Sequence, residues 1–330
     1  MSVIEYSAPQ SRTGGRRWML PPQAGPVIGL AIVSLLFSAL RFKTFATVNN
    51  LQIMLTLTAV VGTAALGMTL IIISGGIDLS VGSNVALTCV TVAVLLNNHV
   101  PPVLAALGGV AVGCLMGLMI GLCITYLRLA PFIVTLGTWS ILRGFAIGTA
   151  HEQPVDPDPT WLNNLLTLPG GSQKWMLVPA GVWMLLVLAA VVAGVLRYTR
   201  FGRHVFAIGS SEQTARLCGV NVARTKVLVY VVGGLFAGLA GVLQFSFLSS
   251  GDPTTADGME LNVIAAVVIG GASLSGGQGT IVGSLVGALL MTAVANGCNK
   301  IGMHNWVQAI VTGAIIILAA AIDRLRQSSR

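Results

Sequence analysis

Ser74-Gly75-Gly76-Ile77-Asp78-Leu79-Ser80-Val81-Gly82 places one carboxylate and three glycines between two uncharged apolar runs, Leu51–Ser74 and Val81–Asn97. Each run approaches the ~20 apolar residues that a membrane-crossing helix needs. A lone Asp in hydrocarbon is costly unless it caps a helix, finds a partner or meets water. The stretch therefore reads as a break between two membrane helices, facing a cavity or a membrane edge.

The composition supports this. Of 330 residues, 55% are hydrophobic and 8% charged, with a mean hydropathy of +0.86. Soluble domains carry about 25% charged residues, so a soluble globular protein is excluded. The 40 glycines and 13 prolines lie among apolar segments, as in membrane helices. Further candidate spans are Ala24–Leu40, Val103–Tyr126, Pro131–Ala150, Trp175–Leu196, Val227–Leu248, Leu261–Leu274, Thr280–Val294 and Trp306–Ile322. The expected fold is an all-α polytopic membrane protein of about ten transmembrane helices. The segments at Pro131, Leu261 and Thr280 are short, glycine-rich or carry Arg143, and read equally as half-helices or re-entrant pieces.

Ten spans with the N-terminus inside put Arg12, Arg16, Arg17, Arg128, Arg197, Arg200, Arg203, Arg216, Arg224, Lys226, Arg324, Arg326 and Arg330 in inner segments. Only Arg41, Lys43, Lys174 and Lys300 fall outside. Such a bias sets orientation, with both termini cytoplasmic. Residues 1–23 then form a cytoplasmic tail, 24–322 a single transmembrane domain and 323–330 a second cytoplasmic tail. The net charge of +8 is accounted for by these loops, without a nucleic-acid partner. No small-residue cleavage site follows the first apolar run, which argues against a cleaved signal peptide. The five cysteines show no metal-ligand spacing and read as packing residues.

Gly109, Gly113, Gly117 and Gly121 recur every four residues, a ridge that lets another helix approach closely. Gly75–Ser80 resembles Gly270-Gly271-Ala272-Ser273-Leu274-Ser275, so an internal repeat with discontinuous helices is expected. The outer loop His151–Lys174, rich in proline and acids, reads either as a lid or as a solvated connector.

No phosphate-binding glycine loop and no Ser/His/Asp constellation is present. The chain is expected to be no enzyme and to need no cofactor, so any energy comes from a partner or an ion gradient. An ion-coupled secondary transporter would show several embedded ionisable groups. Here Asp78, Arg143 and Glu260 qualify, all near helix ends; this remains the alternative.

The inner loop 197–226 is the largest cytoplasmic feature. Within it Ser210 or Ser211 is placed to cap a short helix, with Glu212 in its first turn and Gly219 at its end. Ala215 and Leu217 to Val220 give it an apolar side. Such a helix either docks a soluble partner or lies passively on the membrane.

Four segments in this order resemble a known family. They are Gly75–Gly82, Pro131-Phe132-Ile133-Val134-Thr135-Leu136-Gly137-Thr138, Glu212–Gly219, and Ala265–Gly271 followed by Ser275-Gly276-Gly277. Together they look like the membrane permease subunits of bacterial ATP-binding-cassette importers for monosaccharides, over about residues 25–325. The resemblance implies a permease in the bacterial inner membrane, paired with a second permease subunit and surrounded by membrane lipid. A cytoplasmic ATPase would bind below and a periplasmic sugar-binding protein above. It also implies an ATPase coupling loop around Arg203, Ser211, Glu212, Ala215, Arg216 and Gly219.

Gly75, Gly76, Asp78, Ser80, Gly82, Gly270, Gly271 and Ser275 would then form a gating hinge, with Asp78 as N-cap of the third span. For a neutral sugar, Ser83, Asn84, Thr135, Trp139, Arg143 and Asn262 are candidate pathway residues, as is Ser80. Each reads also as a packing or capping residue, and Arg143 also as the partner of an outer acid.

Overall fold

The computed structural model describes residues 24–168, 170 and 176–328. The expectations placed on Arg12, Arg16, Arg17, Lys174, Trp175 and Arg330 lie outside the described residues, as do the side chains of Arg324 and Arg326. Among the described residues the secondary structure is helical, apart from one isolated bridge between Val155 and Gly251.

In chain order the helices are α1 (Ala24–Leu40), α2 (Phe42–Phe45), α3 (Val48–Ile73), α4 (Val81–Asn97), α5 (Pro102–Tyr126), α6 (Pro131–Thr149) and α7 (Ala180–Tyr198). They continue with α8 (Arg200–Ser210), α9 (Glu212–Leu217), α10 (Val222–Leu248), α11 (Met259–Ile269), α12 (Ile281–Ile301) and α13 (Asn305–Ser328). Their starts follow ordinary capping chemistry. Thr47, Thr199, Ser211, Asn221 and Thr280 each accept a hydrogen bond from a backbone N–H of the first turn, and prolines occupy the first turns of α5 and α6.

Six helices, α3, α5, α6, α7, α10 and α12, are long and apolar enough to cross a membrane. Four shorter apolar helices are Gly25–Leu40, Val81–Asn97, Met259–Ile269 and Asn305–Leu318. The 11 residues of α11 span only about 16 Å at 1.5 Å each, against ~30 Å of hydrocarbon. This segment alone cannot cross; it is a half-helix, ending at Ile269 rather than at Leu274.

The pillar of the bundle is α10. Its small residues admit a neighbour on three sides. Gly234 and Gly238 face the expected ridge on α5, where a Cβ on Gly113 would fall 2.6 Å from the Gly234 carbonyl oxygen and 2.9 Å from the Gly238 Cα. Gly233 meets Ile71 of α3, and Gly241 meets Thr88 and Val85 of α4. Around this core the outward faces carry exposed Leu35, Val103, Leu107, Phe132, Ile133 and Val187, an apolar coat suited to lipid.

The pillar also serves as a ruler. Gly76 lies against the Tyr230 hydroxyl, while Val85 lies against Gly241. Since α10 runs from residue 222 to 248, α4 begins part-way along the bundle rather than at its end. Gly82, in the first turn of α4, meets Ala256 and Glu260, at the start of α11. The starts of α4 and α11 therefore lie side by side inside the bundle.

Candidate functional site

Asp78 sits in the descent from α3 to α4. Helix α3 ends with Gly75 at φ +82°; the Gly75 amide donates to Ile72 O at 2.9 Å and the Gly76 amide to Ile71 O at 2.9 Å. This left-handed turn is the glycine-dependent stop expected at such an end. The chain then turns at Asp78–Ser80 into α4. Asp78 Oδ1 accepts from the Ser80 amide at 2.8 Å and the Ser80 hydroxyl at 2.6 Å. Ser80, not Asp78, occupies the N-cap position of α4, and its own side chain makes no capping bond. The expected cap is thus displaced by two residues: the carboxylate holds Ser80, and Ser80 starts the helix. A short acceptor closing on the amide two residues ahead is the usual Asx-turn chemistry, and it satisfies a carboxylate that is 5% exposed.

The stretch after α11 uses the same devices. The Gly271 amide donates to Val268 O at 2.9 Å and the Ala272 amide to Val267 O at 3.1 Å, with Gly271 at φ +93°. Ser273 Oγ accepts from the Ser275 amide at 3.3 Å, in the relation Asp78 has to Ser80. The left-handed glycines are Gly75 and Gly271, so the distance from glycine to turn is one residue shorter in the second stretch.

These two glycine loops touch. The Gly277 amide donates to Ile73 O at 2.8 Å, and a Cβ on Gly276 would lie 3.1 Å from the Gly75 Cα. A third element closes the joint. Gly209 of α8 abuts both the Ile73 carbonyl and the Gly277 nitrogen, leaving no room for a side chain. The inner loop therefore meets both expected hinge loops, backbone to backbone, at one point.

The short helix of that loop forms as expected. Ser211, not Ser210, is its N-cap, accepting from the Thr214 amide at 3.2 Å. Gly219 ends it at φ +79°, with the Val220 amide donating to Ala215 O at 3.0 Å. Ala215 packs inward with Ile208 and Val222. Leu217 does not join that apolar side; it projects outward, 88% exposed, beside exposed Arg216, while Arg203 is exposed on α8. Glu212 holds α9 to α10 through Lys226 at 2.6 Å and pairs with Arg216 at 3.1 Å. The Lys226 hydrogen bond, with help from Arg216, holds the Glu212 carboxyl below the usual carboxylate range.

The expected pathway residues divide. Thr135 donates within its own helix to Pro131 O at 2.9 Å and also approaches Ile77 O of the α3–α4 loop at 3.5 Å. Asn84 turns its amide towards Gly113 O of α5 at 3.4 Å. Asn262 is half-buried on α11. Arg143 spans from α6 to the loop before α11, donating through Nη1 to Pro253 O at 2.7 Å and Thr255 O at 2.8 Å. Its Nη2 lies 3.9 Å from Asp257, so the acid partner is present, while the carbonyls it holds belong to the loop between α10 and α11 and not to a helix end. Ser83 and Trp139 lie on the facing helices α4 and α6.

Residues 50–320 match the family model for the branched-chain amino acid transport system permease component. The chain belongs to this permease family. The ribose import permease protein RbsC of Escherichia coli (strain K12) is 37% identical over 312 residues, covering 94% of this chain and 96% of that protein. The L-arabinose ABC transporter permease protein AraH of Azospirillum brasilense is 35% identical over 320 residues, 97% of this chain and 93% of its own. The probable ABC transporter permease protein YphD of E. coli (strain K12) is 40% identical over 303 residues, 92% of this chain and 90% of its own.

In this permease, sequence reasoning overlooked Gly209 and Lys226. Gly209 had one available signal, a glycine inside the most polar amphipathic segment of the chain. Lys226 had none, because its pairing with Glu212 appears only when α9 folds back on α10.

Proposed function

We propose that this permease is the membrane subunit of an ATP-binding-cassette importer that passes a monosaccharide, or a similar small polar solute, into a bacterial cell. The observation that carries the reading is the three-way joint of Gly209, Ile73 and Gly277. Ribose and arabinose permeases aligned over more than nine-tenths of the chain supply the solute class.

The mechanism follows from the joint. The loop around α8 and α9 faces the cytoplasm, as its cluster of Arg197, Arg200, Arg203, Arg216, Arg224 and Lys226 favours. Both termini lie on the same side, with ten membrane segments of which α11 is a half-helix. A cytoplasmic ATPase docks on the exposed face of α9 around Leu217 and Arg216. When the ATPase closes on ATP, it displaces α8 and α9 as a unit, because Ala215 of α9 packs on Ile208 of α8, while Glu212 and Lys226 tie α9 to the root of α10. Gly209 transmits that displacement to both glycine loops in one step. Those loops set the starts of α4 and α12, and act as the paired hinge. A second permease subunit completes the pathway, and a periplasmic sugar-binding protein delivers solute at the opposite end. ATP hydrolysis belongs to the ATPase subunit.

The test is hydrolysis by the purified complex of this chain with a candidate ABC ATPase subunit. Stimulation by a sugar-binding protein loaded with ribose or arabinose, above the unloaded protein, supports the reading. A chain that recruits no ATPase contradicts it.

A further inference from the structure

Four buried polar atoms at the junction of α4, α6 and α11 have no hydrogen-bond partner among the described residues: Ser83 Oγ, Trp139 Nε1, Arg143 Nη2 and Glu260 Oε2. Such groups are uncommon in folded proteins and costly to bury; of the four, Arg143 Nη2 alone has a charge nearby, Asp257 at 3.9 Å. They also converge. Glu260 Oε2 lies over Gly82, the residue before Ser83. Ser83 is 0% exposed and shares the stripe of α4 that continues through Leu87 and Val90, which pack with Leu142 and Ala146 of α6. Trp139 and Arg143 are one turn apart on that same helix. Arg143 in turn holds the carbonyls of Pro253 and Thr255, in the strand of chain that leads to Glu260. Asn84 also carries a partnerless oxygen, but its amide faces α5, away from this junction.

We infer that this junction is a solute seat inside the permease, built for a neutral polyhydroxy compound. The inference rests on the sugar-permease reading above and assigns it a site. The chemistry of the four groups selects the class. Trp139 and Arg143 can only donate, Glu260 as a carboxylate can only accept, and Ser83 can do both. A metal cation would call for acceptors throughout, and an anion for donors throughout. A hydroxyl donates and accepts at once, so a set of vicinal hydroxyls matches the mixture. The indole ring adds an apolar face for the C–H face of a sugar. The seat lies where α4 and α11 start and where the hinge loop Ser74–Ser80 ends, so movement of the hinge reaches it directly. A site built to bond hydroxyls discriminates among epimers, because a misplaced hydroxyl leaves a buried group unmet.

The experiment is uptake of a panel of radiolabelled pentoses and hexoses, including D-ribose and L-arabinose, into proteoliposomes holding the full complex, with Trp139→Phe, Glu260→Gln and Ser83→Ala compared with wild type. Hydrolysis stimulated by the loaded binding protein is measured alongside. The expected result is a loss of uptake of about tenfold in at least two variants, with the order of preference among the sugars altered. Stimulated hydrolysis stays within about twofold of wild type, because the α8–α9 joint is untouched. Uptake and hydrolysis falling together with preference unchanged would assign the residues to structure and overturn the inference. Wild-type rates and preference in all three variants would overturn it while leaving the permease reading standing. A wild-type complex that moves no sugar would overturn both.

Discussion

Replacing Gly209 with valine perturbs the point where α8 meets both glycine loops. A Cβ at this position lies 2.5 Å from the Gly277 nitrogen and closer still to the Ile73 carbonyl oxygen. Ordinary contact begins near 3.4 Å, so the Gly277 loop must retreat by about 1 Å and the Ile73 carbonyl by more. Overpacking of this kind costs about 1–3 kcal/mol. Loss of the 2.8 Å bond from the Gly277 amide to Ile73 O adds about 0.5–1.5 kcal/mol. A total of about 1.5–4.5 kcal/mol depopulates the closed joint by roughly 10- to 2,000-fold. The ATPase still docks, since the outer face of α9 is unchanged, and still hydrolyses ATP. Solute moved per ATP consumed, measured in proteoliposomes, should fall by about tenfold or more as the joint opens. Gly194→Ala, whose added Cβ meets nothing within 4 Å, serves as the control and should transport normally. A Gly209→Val complex with the wild-type ratio would refute the argument that force passes through this joint.

Other perturbations have equally definite outcomes. Leu217→Asp should abolish co-purification of the ATPase while leaving the melting temperature of the permease alone, because the side chain is 88% exposed. Glu212→Lys should loosen α9, and the exchange Glu212→Lys with Lys226→Glu should restore ATPase binding; the pair is exposed at Glu212 and stabilises by under about 1 kcal/mol. Because the Glu212 carboxyl is held low by Lys226, its contribution is full above the unfolded carboxylate value and is lost only as pH falls through the lower folded value. ATPase binding should therefore hold from pH 7 to about 5. Asp78→Asn keeps an acceptor for Ser80 and should retain most transport, whereas Asp78→Leu strands two donors and should cost about 2 kcal/mol of stability, read as a lower melting temperature. Gly117→Leu drives a side chain into the Tyr230 carbonyl of the pillar and should cut the folded yield in membranes severely.

What the sequence made legible is what hydropathy and glycine spacing encode directly. Each expected apolar segment is occupied by a helix, and the ridge Gly109–Gly121 fits its partner closely. The Ser211 and Gly219 boundaries of α9 follow from local capping chemistry, which a sequence displays. Three things needed the folded chain. The length of α11 was blurred because Gly270–Leu274 is apolar enough to prolong a hydropathy run, yet the left-handed Gly271 has already ended the helix. Asp78 is one turn-type away from its expected position, since an Asx turn and an N-cap use the same residues at neighbouring offsets. The side of α9 that carries Leu217 depended on how α9 folds back against α10, a tertiary choice that six residues cannot encode. Among the pathway candidates the Thr135 hydroxyl donates to Pro131 O, while Ser83 Oγ and Trp139 Nε1 have no hydrogen-bond partner among the described residues.

The central claim is that this permease moves sugar at the expense of ATP through a dedicated assembly. It is tested most directly in proteoliposomes containing the chain and its ATPase, with the binding protein and labelled ribose or arabinose outside the pathway's periplasmic end and ATP on the opposite side. Accumulation that requires ATP and the binding protein, and that ionophores leave unchanged, is the predicted result. Accumulation without ATP, driven by a proton or sodium gradient and abolished by ionophores, would contradict it.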